Sequence, residues 1–210
     1  MTINGENLSS LANKLDTTFS NLQSEGTIAI KEYANAQNEI WRSEKSVKLA
    51  TEIKDCLDSA IKNIGIRQNN IRSAIQTNVQ NHNATEGTSL SFSYDYVPVD
   101  TNGLKVFGSW PGNETGLREG HTISELKPYF DKITNIFNKC FSDMLSAVNS
   151  SEVFSPTQQS ELASAITRVK NSFASEVDEL SQSWSSRAQG EDTVREKETS
   201  TASGNFAGLN

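Results

Sequence analysis

The residues that could act as bases or nucleophiles near neutral pH are few: His82, His121, Cys56 and Cys140. A catalytic histidine needs a nucleophile or an orienting carboxylate within hydrogen-bond reach, and the spacing around His82 and His121 builds no such set. Both are expected in loops. Cys56 and Cys140 fall on apolar helical spacings, where a free thiol acts as a small hydrophobe, a bridge between them being the alternative. The sequence contains no Cys-x-x-Cys, His-Glu-x-x-His, phosphate-loop or dinucleotide fingerprint. Asp55 and Asp58, like Glu176, Asp178 and Glu179, have the spacing of helix-surface carboxylates. The expectation is a protein that is not an enzyme and uses no cofactor or metal. Asn83-Ala84-Thr85 and Asn113-Glu114-Thr115 would be glycosylation sites only in a eukaryotic secretory setting.

The elements that must carry these residues follow from periodicity. Leu8, Leu11, Leu15, Phe19 and Leu22, continued by Ala29, Tyr33, Ala36 and Ile40, predict one long helix with a bend or fray at Gly26. Val47, Ala50, Ile53, Leu57, Ala60, Ile61, Ile64, Ile71, Ala74 and Ile75 predict a second, ending near Gln80. The period then changes. Leu90, Phe92, Tyr94 and Tyr96 alternate with polar residues, and Thr101-Asn102-Gly103 precedes Leu104-Lys105-Val106-Phe107, which predicts a β-hairpin inserted as an appendage. Thr122 and Glu125 have capping-box spacing ahead of a third stripe, from Leu126 to Val148, with Pro128 able to delay its start. Ser155-Pro156-Thr157-Gln158 opens a fourth, from Leu162 to Trp184. The expected fold is mainly α, an antiparallel long-helix bundle of about four helices with a small inserted β-hairpin. Its segments are a helical hairpin (1–81), a hairpin and loop insertion (82–121), a second helical half (122–190) and a disordered tail (191–210).

Between the first two stripes lies Asn38-Glu39-Ile40-Trp41-Arg42-Ser43-Glu44-Lys45-Ser46, with no glycine or proline to separate them. A tryptophan there can simply plug the end of a bundle. In length and in the position of Trp41-Arg42-Ser43, however, the segment from about Leu8 to Gln80 resembles the Trp-X-Gly (ESAT-like) helical-hairpin family of bacterial type VII secretion substrates and partners. Serine stands where that family has glycine, and Ser43 could cap the next helix with Glu44 in its first turn. The resemblance implies a tight elbow and a second helix running back antiparallel. Trp184-Ser185-Ser186 follows another stripe as though the second half echoed the first, whereas Trp110-Pro111-Gly112 lies in a loop and is set aside. The family's export signal, Tyr-x-x-x-Asp/Glu, matches Tyr96 and Asp100, although these fall in an expected strand rather than a helical tail.

A formal charge of -7 argues against nucleic-acid partners and anionic membrane surfaces, which require clustered Lys and Arg. The sequence has no run of 18 apolar residues and no basic region followed by an apolar one at its start, so neither a membrane span nor a signal peptide is expected. The resemblance therefore implies a protein secreted without a signal peptide, or cytoplasmic before export. Its function would be that of a secretion-associated binding module: a substrate, effector partner or targeting factor. The expected partner is a second copy or another small helical protein, docked on the stripe Leu57, Ile61, Ile64 and Ile71. A pore-forming protein with a β-tongue and a plain structural bundle are the alternatives.

Overall fold

A computed structural model describes residues 2–104 and 115–209, and Lys105, Val106, Phe107 and Trp110-Pro111-Gly112 lie outside the described residues. The fold is mainly α, with four long helices and one small antiparallel sheet among them. α1 (Gly5–Ile40) leads through β1 (Trp41–Arg42) into α2 (Glu44–Glu86), and β2 (Gly116–Leu117) and a 3-10 turn (Ile123–Leu126) precede α3 (Lys127–Asn149) and α4 (Pro156–Ala207). Asn4 caps α1, its Oδ1 accepting from the Asn7 N–H at 3.1 Å. The stripe of α1 is buried from Leu8 to Tyr33 and faces α3, whose Phe130, Ile133, Phe137, Phe141 and Val148 are equally buried. α3 in turn packs on α4 through Phe173, Val177 and Trp184.

The antiparallel pair joins Trp41 to Leu117 and Arg42 to Gly116, not the two arms expected around Asn102-Gly103. Residues 88–101 are extended and make no ladder among the described residues. They form a strap lying in the groove between α1 and α2, which touch each other little directly. An extended chain away from a sheet must satisfy its amides elsewhere, and here helix side chains do so. Asn83, Gln76 and Arg72 of α2 donate to the carbonyls of Leu90, Phe92 and Tyr94 at 2.7, 3.0 and 2.9 Å. From α1, Asp16 and Thr27 accept from the amides of Asp95 and Asp100 at 2.7 and 3.1 Å. The expected alternation holds, with Phe92, Tyr94 and Val99 buried and Ser91, Ser93 and Asp95 exposed. Its inner face belongs to the central core rather than to an appendage. Asn102-Gly103 lies in a helical turn in which the Leu104 amide donates to the Thr101 carbonyl at 3.0 Å, and the rest of the expected second arm lies outside the described residues.

The strap also explains two helical glycines. α1 is unbroken through Gly26, and a Cβ there would sit 3.0 Å from both methyls of Val99. A Cβ on Gly65 of α2 would sit 3.0 Å from the Tyr96 ring. Absence of a side chain is what lets the strap lie this close. Contacts run from Gly5 against Leu90 to Lys31 against Gly103. About 43 Å of extended chain therefore parallels about 39 Å of helix, since an extended residue rises roughly twice as far. Because the strap runs with α1 and against α2, the two helices are antiparallel.

Other expectations are corrected by burial and helix length. Leu57, Ile61, Ile64 and Ile71 are core residues, at 0, 6, 0 and 6% exposure, and do not form a free docking stripe. The strap and α4 already cover them. Cys56 is exposed while Cys140 is buried, and both are free thiols. α2 continues past Gln80, so His82 is helical rather than in a loop. α4 runs without interruption through Trp184-Ser185-Ser186, where the Ser185 hydroxyl donates to the Ser181 carbonyl, so no second elbow forms. It also continues through 191–207, the segment expected to be disordered. At its start Ser155 makes no side-chain cap bond, and Gln159 rather than Gln158 reaches back, to the Val148 carbonyl.

Candidate interaction site at the helical elbow

The elbow is built by reciprocal capping. Trp41 ends α1 in an extended conformation, with its amide donating to the Gln37 carbonyl. Ser43 then starts α2: its hydroxyl accepts from the Ser46 amide at 3.2 Å and its amide donates to the Ser46 hydroxyl at 3.1 Å. Gln37, buried in α1, donates to the Ser46 carbonyl at 3.0 Å and so ties the two helices across the turn. Serine thus supplies by hydrogen bonding what glycine would supply by conformational freedom, and Glu44 lies in the first turn as expected. β2 covers the extended residues, and the Arg118 amide donates to the Ile40 carbonyl at 2.8 Å.

Trp41 is fully buried, and part of its cover comes from the segment expected to be disordered. The Arg195 guanidinium of α4 lies 4.6 Å from its ring centroid and is held there by Glu191 at 2.8 Å. One turn earlier, Asp192 accepts from the amides of Ile123 and Ser124 at 2.6 and 3.0 Å and from the Ser124 hydroxyl at 2.6 Å, capping the 3-10 turn from another helix. Thr122 and Glu125 form the predicted capping pair, the Thr122 amide donating to the carboxylate at 3.0 Å. Among the described residues the Trp41 indole N–H has no hydrogen-bond partner.

A second aromatic cluster lies just behind. Trp184 stacks on Phe130 at 5.2 Å between centroids, and its indole N–H donates to the Tyr33 hydroxyl at 3.1 Å. The two tryptophans thus brace the elbow end of the bundle, but only Trp41 marks a turn. Tyr96 and Asp100 do not form an accessible helical motif. The Tyr96 hydroxyl donates to the Ile61 carbonyl at 3.1 Å and its ring meets Phe19 edge-on, so it is an anchor of the strap.

Chemistry at this end is sparse. His121 lies in the loop before the 3-10 turn, 2.9 Å from Glu125, whose carboxyl it holds below the usual range. Among the described residues no group of three or more His, Cys, Asp or Glu is placed to hold a metal ion. Burial pushes the Cys140 thiol well up, which suits a core residue rather than a nucleophile. At this end lies an open groove of ≈ 1320 Å³, walled by the last turns of α4, the start of α2 and residues 115–122. Sequence reasoning missed Asp192 and Arg195 because both are charged. The available signal was position: they continue the three-and-four spacing of Trp184 and Ala188. Comparison with protein-family models, with curated proteins and with solved structures finds no match.

Proposed function

We propose that this chain is a secretion-associated helical binding module, a type VII-like substrate, effector partner or targeting factor that acts by association with another protein. The observation that carries the reading is the elbow: two antiparallel helices of similar length closing on a buried tryptophan with a capping serine two residues on. It is supported by a final helix that continues to Ala207 with Phe206 exposed. The docking surface cannot be the α2 stripe, whose residues are core. Among the described residues no helix is long and apolar enough to cross a membrane. Phe92 and Tyr94, which an inserting tongue would have to release, are buried in the groove, so nothing favours the pore-forming reading.

The test combines association with export. The purified chain, alone and mixed with helical proteins encoded beside it, is followed by light scattering, and its appearance outside cells is followed with and without the secretion ATPase. A stable heteromer and ATPase-dependent export are expected. A strict monomer that ignores every co-encoded helical protein and stays in the cell would rule the reading out.

A further inference from the structure

α4 is longer than the body it packs on. Its inner face is covered as far as Arg195, yet the helix continues to Ala207. The same face continues as Thr199, Ala202 and Phe206, which form one wall of the open elbow groove. Phe206 and Leu209 are 71 and 78% exposed. Thr199, Ser200, Thr201, Ser203 and Gly204 are poor helix formers, and a few turns of such composition do not hold a helix in water without tertiary cover. Nothing among the described residues supplies that cover.

The charge of the groove restricts what could. Its acidic residues exceed its basic ones by two. Asp192 and Arg195 are already engaged, which leaves Glu44, Glu119, Glu196 and Glu198 facing Lys45 and Arg118. A second copy would bring like charge to like charge across this face, and the whole chain carries -7.

Resting on the binding-module reading, we propose that the overhang of α4 and the elbow groove dock an amphipathic helix of a partner protein. The partner's apolar face lies on Leu117, Ala202 and Phe206, and its Lys/Arg flank faces Glu44, Glu119, Glu196 and Glu198. Docking supplies the cover that the last turns of α4 lack, so binding and helix stabilisation are coupled.

The full chain is titrated with a labelled Leu/Lys amphipathic peptide of about five turns and with its Leu/Glu counterpart carrying the same apolar face. The Leu/Lys peptide should bind one per chain, more weakly as salt is raised, and the Leu/Glu peptide should not bind. Phe206→Asp should lower affinity by about tenfold or more, and Glu196→Gln with Glu198→Gln by several-fold with a flatter salt dependence. These side chains are exposed, so an unchanged melting temperature certifies the fold, and Asp178→Asn with Glu179→Gln, on the far part of α4, should leave affinity unaltered. Equal binding of both peptides, Leu/Lys binding indifferent to the groove variants, no binding of either peptide, or a dimer lost on Phe206→Asp would each overturn the proposal. A co-encoded partner whose binding survives Phe206→Asp would overturn the groove while leaving the binding-module reading intact.

Discussion

Tyr94→Ala tests whether the strap is core or ornament. The ring is 2% exposed, stacks on Phe19 of α1 at 5.9 Å and meets Phe92 edge-on at 5.3 Å. Its hydroxyl donates to the Gln68 carbonyl of α2 at 3.2 Å, so one side chain bridges both helices. Truncating a buried aromatic to alanine costs about 3–5 kcal/mol through lost transfer energy and the cavity left behind. Tyr94→Phe removes only the hydroxyl, and a net hydrogen bond is worth about 1 kcal/mol. Ser93→Ala, on the exposed side of the strap, should stay within about 0.5 kcal/mol of the parent. Urea unfolding followed by far-ultraviolet circular dichroism reads all three. A loss of about 4 kcal/mol is a large share of the roughly 5–15 kcal/mol that stabilises a domain, so Tyr94→Ala should shift the midpoint strongly. If Tyr94→Ala unfolds at the parent midpoint, or Tyr94→Phe costs as much as Tyr94→Ala, the strap is not an integral layer of the fold and the reasoning fails.

At the elbow, Asp192→Ala leaves the Ile123 and Ser124 amides without their acceptor and should destabilise by about 1–3 kcal/mol, with faster amide exchange at Ile123 and Ser124; unaltered exchange there would mean the carboxylate does not cap the turn. Gly190→Ala, with open space around it, should realise a helix-propensity gain of about 1 kcal/mol, whereas Gly26→Ala should realise less or none of it, because both methyls of the buried Val99 would have to give way to the new Cβ; thermal melts that rank the two the other way would contradict the strap's close approach. Burial pushes the Tyr33, Tyr94 and Tyr96 hydroxyls well above their ordinary pKa. The folded state therefore holds these protons more tightly than the unfolded one, and its stability should be full below about pH 10 and fall as pH rises further. Equal urea midpoints at pH 8 and pH 11 would show that these hydroxyls are not buried.

Periodicity alone determined the helices. Leu8 to Tyr33, Val47 to Ile75, Leu126 to Val148 and Leu162 to Trp184 each repeat at three and four residues, a pattern that has one good solution, a helix burying one face. The elbow was legible for a similar reason: Trp41-Arg42-Ser43 interrupts two stripes, and a serine before an acidic first turn is a local cap that needs no distant partner. Tertiary structure decided the rest. An alternating run such as Leu90 to Tyr96 states that one face is buried, not against what, and here Asn83, Gln76, Arg72, Asp16 and Thr27 take the place of a neighbouring strand. The stripe at Leu57 to Ile71 reads in the sequence as a face free to dock a partner, because nothing local shows that a distant extended segment covers it. Residues 191–207 carry too little apolar character to predict a helix, and their order at Asp192 and Arg195 arises from a turn and a tryptophan more than sixty residues earlier in the chain. Local propensity acts over a few residues, whereas capping in trans and cation–π contact depend on which distant segments the fold brings together.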